Sequence, residues 1–225
     1  MQAMDFDRAR YNMVEQQVRP WDVLDQSVLD LLLVVKREEF VPGAYRALAF
    51  SDMEIPLRID GIDTGESMWS PKMEARMLQE VAPRPQDQVL EIGTGSGYLT
   101  ALLAHKAHQV VSVEIDPRLE AFGASNLARA GVHNVRLETG DASAGWMAQA
   151  PYDAIVVTGS LPVLPASLRN QLKVGGRLAA VIGTDPVMSA EIVTRVSETG
   201  FETVKLFETW LRPLRNVERP SSFRF

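Results

Sequence analysis

The stretch Val89-Leu90-Glu91-Ile92-Gly93-Thr94-Gly95-Ser96-Gly97-Tyr98 constrains this chain more than any other. A short apolar run leads into three alternating glycines, and an apolar helical pattern takes over at Tyr98. A strand that breaks into a glycine turn and re-enters as a helix is the first half of a parallel β-α-β unit. The chain then repeats the unit. Gln88–Ile92, Gln109–Glu114, Val135–Glu138, Asp153–Thr158 and Arg177–Ile182 read as buried strands. Tyr98–His105, Pro117–Ala130 and Pro165–Leu172 read as the helices between them. Glu191–Val196 and Phe201–Trp210, joined around Thr199-Gly200, read as a closing antiparallel hairpin, and the tail Arg212–Phe225 shows no clear period. The expected fold is α/β, with a mostly parallel seven-stranded sheet flanked by helices.

Ahead of the sheet, residues 1–80 read as helical and irregular. Asp25 or Ser27 caps a helix that carries Val28, Leu29, Leu32 and Val35 on one face and ends near Lys36-Arg37-Glu38-Glu39. A loop with Pro56, Gly61 and Gly65 follows, and Pro71 opens a helix running to Val81.

Two details separate the glycine turn from a dinucleotide site. The pattern G-x-G-x-x-G requires glycine at 98, where Tyr98 stands. The strand also ends on an acid, Glu91, which suits a ligand with an ammonium and a sulfonium and no phosphate. This E-x-G-x-G-x-G turn resembles the first motif of class I S-adenosylmethionine methyltransferases, a Rossmann-like fold. Glu114 ends the next strand about 20 residues on, where an acid can accept both ribose hydroxyls. Its plainer reading is a solvated strand-end charge. Asp141, in Gly140-Asp141-Ala142 after the third strand, accepts from an adenine amino group or simply shapes a turn. Asp116, just before Pro117, reads as a helix cap.

The remaining side chains narrow the chemistry. The chain has no cysteine, which excludes disulfides, thiol nucleophiles and cysteine zinc sites. His105, His108 and His133 fall away from the strand C-termini and lack carboxylates at ligand spacing, so neither a metal nor a catalytic histidine is expected. Methyl transfer to a carboxylate fits this, because a carboxylate with a pKa of about 4 is already ionised and needs no base. The protein then has only to align the reactants and exclude water.

Nearly the whole chain resembles the protein-L-isoaspartate O-methyltransferase family. Val18-Arg19-Pro20, Arg37-Glu38-Glu39-Phe40-Val41-Pro42 and Met53-Glu54-Ile55-Pro56-Leu57 carry the likeness early. Gly140–Trp146, Ala150–Thr158 and Leu172–Arg177 carry it later. The resemblance implies S-adenosyl-L-methionine as cofactor, contacted by Glu91, Gly93, Thr94, Gly95, Ser96, Gly97, Glu114, Asp141 and Ala142. It implies a peptide or protein bearing isoaspartate as methyl acceptor. It also exposes a departure. The family's pocket loop reads Thr-Ile-Ser-x-Pro, with the serine at the active site. Here Ser67-Met68-Trp69-Ser70-Pro71 puts Trp69 at that serine, with Ser70 one residue later. An indole is larger and cannot accept a hydrogen bond, so ordinary isoaspartyl methylation is expected to be weak. Trp69 and Ser70 are therefore the candidate pocket residues. The alternatives are a relative with a changed acceptor, a small metabolite or another macromolecule, or a cofactor-binding protein without turnover.

With 225 residues, 46% of them hydrophobic, and no visible linker, one domain is expected over 1–225. Within it, 1–80 is a helical and pocket-loop extension and 81–225 the cofactor-binding core. A net charge of −6 argues against non-specific nucleic-acid binding. Val28–Val35, interrupted by Asp30, is too short to span a bilayer. The opening residues lack the apolar core of a signal peptide, so a cytoplasmic protein is expected. The sequence leaves oligomeric state unknown.

Overall fold

The computed structural model describes residues 5–217; residues 218–225, the end of the tail read as aperiodic, lie outside them. Helix α1 (Phe6–Met13) starts at Asp5, whose carboxylate accepts from the Arg8 N–H. Helix α2 (Gln26–Val34) starts at Asp25, as expected, with its carboxylate accepting from Ser27 N–H. It buries Val28, Leu29 and Leu32 on one face.

The segment expected to be a loop is instead an antiparallel hairpin, β1 (Ile55–Ile59) and β2 (Ile62–Met68). The chain reverses at Asp60-Gly61, which take φ of 51° and 80°, a left-handed pair suited to a two-residue turn. Pro56 is tolerated because both strands of a two-stranded ribbon are edges. Helix α3 (Pro71–Val81) has the expected bounds, with proline in its first turn.

The main sheet follows. Its parallel strands are β3 (Gln88–Ile92), β4 (Gln109–Glu114), β5 (Val135–Thr139), β6 (Tyr152–Leu161) and β7 (Leu172–Thr184). Helices α4 (Tyr98–Lys106) and α5 (Pro117–Arg129) link the first three. The helix expected over 165–172 shrinks to α6 (Ala166–Arg169). Leu172 is already a strand residue paired with Tyr152, so no room is left for a further turn. Strands β8 (Val187–Arg195) and β9 (Phe201–Glu208) close the sheet antiparallel. The antiparallel part therefore begins earlier than the expected hairpin, and Trp210 lies beyond it.

The order is β5-β4-β3-β6-β7-β8-β9. The chain moves one way from β3 to β5, then crosses back to β6 on the other side of β3. This reversal opens a crevice at the C-terminal end of β3, where sheets of this kind bind ligands. Alternate residues of β3 feed opposite faces, Val89 into the core shared with the N-terminal helices and Leu90 into the second core around Leu168 and Leu172. Among the described residues, no helix is long and apolar enough to cross a membrane.

Candidate functional site

The glycine turn sits at the mouth of that crevice. Gly93 takes φ 98°, and a Cβ there would meet Thr158 Oγ1 at 2.1 Å. Thr158 in turn donates to the carbonyls of Ile92 and Gly93, at 2.8 and 3.0 Å. Thus β6 buttresses the turn, and packing against Thr158 is what requires glycine at 93. Gly93, Thr94, Gly95 and Ser96 line it, while Gly97 opens α4.

Glu91 is fully buried at the cleft floor. Its Oε2 accepts from Thr100 Oγ1 at 2.5 Å and from Ser112 Oγ at 2.6 Å. Ser112 is itself 2.6 Å from Thr94 Oγ1. Its Oε1 has no partner among the described residues. Burial pushes the carboxyl up to about 8, although the two hydroxyls pull it down. An unpartnered, buried acid oxygen that lines a cleft is a place for a cation.

The plainer reading of Glu114, a strand-end charge open to water, does not hold. Glu114 is 4% exposed. Oε2 accepts from Gly95 N–H at 2.9 Å and Oε1 from Asp116 N–H at 3.0 Å. Burial raises its carboxyl, partly offset by those backbone donors. Glu114 therefore holds the glycine turn as well as lining the cleft. Asp116 caps α5 as expected, and the adjacent Arg118 holds its carboxyl down at about 2.

Asp141 and Ala142 line an adjoining recess with Ile92, Val113 and Ile115. Asp141 is exposed and accepts from Ser143 N–H and from the Asn216 amide, both at 2.9 Å. Burial raises it, but those bonds more than offset this, so it lies below the ordinary carboxylate range.

The end of β2 also borders the cleft. Ser67, Met68 and Trp69 line it, and Trp69 is both cleft wall and core at 5% exposed. Ser70 is not among the lining residues; it precedes α3 and makes no side-chain cap bond.

Several groups escaped the sequence reading. Arg37, fully buried, pairs with Glu74, which also lines the cleft. The segment Trp210–Arg215 roofs the cleft. Arg215 pairs with Glu66 of β2 at 2.9 Å and lies 3.6 Å from Asp116, and Asn216 reaches Asp141. These residues carry no spacing signal, because partners far apart in the chain bring them to the cleft. Only the run Ile55-x-Leu57-x-Ile59 before Asp60-Gly61 could have revealed the hairpin that presents Glu66.

A glycine turn at the sheet's switch point, between strands tipped by buried acids, defines a class I, Rossmann-like methyltransferase. Comparison with known proteins goes further. The sequence profile of protein-L-isoaspartate(D-aspartate) O-methyltransferase matches residues 9–216, and the chain belongs to that family. It is therefore an S-adenosylmethionine-dependent methyltransferase. A protein-L-isoaspartate O-methyltransferase of Methanoculleus marisnigri is 40% identical over 95% of this chain and 94% of its own. Protein-L-isoaspartate O-methyltransferase 1 of Rhodopseudomonas palustris is 39% identical over 90% of this chain and 80% of its own. A solved protein-L-isoaspartate O-methyltransferase superposes with a TM-score of 0.77 at 26% identity, over 91% of this chain and 65% of that longer one. A Plasmodium falciparum protein solved with S-adenosyl-L-homocysteine shares the fold, with a TM-score of 0.77 over 92% of this chain and 98% of its own, at 21% identity.

Proposed function

We propose that this chain methylates the carboxylate of isoaspartyl residues in peptides or proteins, in an acceptor pocket narrowed by Trp69. The observation that carries the reading is one cleft lined both by buried acids with a glycine turn and by the end of β2 that leads into Trp69.

The cleft fits S-adenosyl-L-methionine. Glu91 Oε1 has no partner among the described residues and can accept from an ammonium, and Gly93, Gly95 and Glu114 line the same cleft. When bound, the cofactor supplies a methyl group made electrophilic by its sulfonium. The chain's residues supply placement. Glu91 takes positive charge at the floor, and Glu114 offers its remaining lone pairs to ribose hydroxyls. Asp141 has a lone pair left for an adenine amino group beside Ala142. Thr94, Ser96 and Gly97 keep the turn and the start of α4 in shape. Trp69 and the Trp210–Arg215 segment exclude water, so that the acceptor oxygen meets few competing nucleophiles. No proton need move before attack, because the acceptor carboxylate is ionised near neutral pH.

In this reading 1–225 acts as a single domain, with 1–80 supplying the acceptor wall and 81–225 the cofactor site. A cytoplasmic setting belongs to the same proposal. Trp69 favours a second reading, a changed acceptor of smaller or flatter shape. Labelled methyl transfer decides between them. Incorporation into an isoaspartyl peptide, with none into the matched aspartyl peptide, supports the first reading. Incorporation only into other components of a cell extract supports the second.

A further inference from the structure

An anionic acceptor entering this cleft needs a cation to hold it. Among the described residues that line the cleft, the cations are Arg212 and Arg215. Arg215 is already committed to Glu66 and Asp116. Arg212 has no carboxylate within ion-pair reach among the described residues.

The backbone that carries Arg212 is fixed. Ser160 N–H donates to the Arg212 carbonyl at 2.8 Å, and Leu214 N–H donates back to the Ser160 carbonyl at 3.0 Å. The buried Ser160 hydroxyl donates to the Leu211 carbonyl at 2.8 Å. The side chain itself is exposed and folds over β2, so that a Cβ on Gly65 would sit 2.9 Å from Arg212 Nη1. A guanidinium on a pinned backbone, lining the cleft and with no ion-pair partner among the described residues, is pre-organised for a ligand's anion. Its planar fork matches a carboxylate.

We propose that Arg212 is a specificity-determining residue that binds and orients the carboxylate of the methyl acceptor, so that the site selects carboxylate-bearing over neutral acceptors. The inference rests on the acceptor reading above. Arg212 holds the acceptor through hydrogen bonds and charge and takes no proton in the reaction.

The probes are an isoaspartyl peptide and its carboxamide counterpart, titrated into the full chain loaded with S-adenosyl-L-homocysteine. Wild type, Arg212→Met and Arg212→Lys are compared, and acceptor KM is measured alongside. Wild type is expected to bind the carboxylate peptide in preference to the carboxamide. Arg212→Met, which keeps the apolar stem, is expected to raise acceptor Kd and KM about tenfold or more and to erase the preference. Arg212→Lys is expected to fall between, with S-adenosyl-L-homocysteine affinity unchanged throughout. An unchanged acceptor Kd and KM in Arg212→Met overturns the inference, and so does an equal loss of S-adenosyl-L-homocysteine binding. The two readings fail separately. Turnover of the isoaspartyl peptide that is independent of Arg212 overturns this inference alone. Arg212-dependent binding without methyl transfer overturns the isoaspartyl reading alone. A wild type that binds neither peptide overturns both.

Discussion

Arg37 Nη2 donates to the backbone carbonyl of Trp69 at 2.6 Å. The same guanidinium reaches the Ala49 carbonyl through Nε at 2.9 Å, pairs with Glu74 through Nη1, and lies 5.1 Å from the Tyr98 ring centroid. One buried side chain therefore ties the N-terminal segment to α3 and fixes the backbone from which Trp69 enters the cleft.

Arg37→Met is expected to destabilise the fold by about 3–5 kcal/mol, because it leaves the buried Glu74 carboxyl and the carbonyls of Ala49 and Trp69 without their donor. Adding Glu74→Leu is expected to recover part of that loss by removing the orphaned acid. Urea unfolding of both variants checks this. If the double variant is no more stable than the single one, Arg37 and Glu74 do not act as a pair.

The parts of the fold that could be read in the sequence are those fixed by local chemistry. The glycine turn, the Asp25 and Asp116 caps and the Pro71 helix start all depend on residues within a few positions of one another. The hairpin at 55–68 was read as a loop because Pro56, Gly61 and Gly65 outweighed a three-residue alternation. Glu114 was placed at the right strand end, but its burial depends on Gly95 and Asp116 folding over it, which no strand pattern encodes. Glu74 and Arg212 reach the cleft, and Arg37 reaches Glu74, only through tertiary contacts, so nothing near them in the chain marks them out.

Glu114→Ala is expected to weaken S-adenosyl-L-homocysteine binding at least about tenfold, as charge-assisted bonds worth ~1.5–3 kcal/mol are lost. It is also expected to lower stability by about 1–3 kcal/mol, because Gly95 N–H and Asp116 N–H lose their buried acceptor. Calorimetric titration and a thermal melt measure the two effects separately. Weaker binding at unchanged stability would mean that the turn keeps its shape without Glu114.

Glu91 makes a pH-dependent contribution whose sign is set by its raised carboxyl, about 8 against an ordinary 4.5. The folded protein holds that proton more tightly than the unfolded chain. The associated stability is therefore complete below about 4.5 and is lost as pH rises toward about 8. Glu91→Gln cannot titrate, so its Tm relative to wild type is expected to rise across that window. Cofactor binding brings a cation to Glu91, so the wild type is expected to release a proton on binding near pH 7. Calorimetry in buffers of different ionisation enthalpy reads that proton directly. Its persistence in Glu91→Gln would assign it to another group.

Trp69→Ser tests the acceptor wall. Trp69 is 5% exposed and belongs to the core shared with the N-terminal helices, so the truncation is expected to cost roughly 3–5 kcal/mol. Activity must therefore be expressed per folded molecule, with a melt beside every assay. An indole at the cleft wall crowds an acceptor carboxylate, and a misplacement of about 1 Å can cost on the order of a hundredfold in rate. Per folded molecule, Trp69→Ser is expected to raise kcat/KM on an isoaspartyl peptide and to leave S-adenosyl-L-homocysteine affinity unchanged, since the glycine turn and Glu114 belong to other elements of the cleft. Trp69→Phe keeps an aromatic ring and most of the packing, and is expected to stay near wild type in both stability and rate. A wild type already as fast on the isoaspartyl peptide as Trp69→Ser would show that the indole packs the wall without restricting the acceptor.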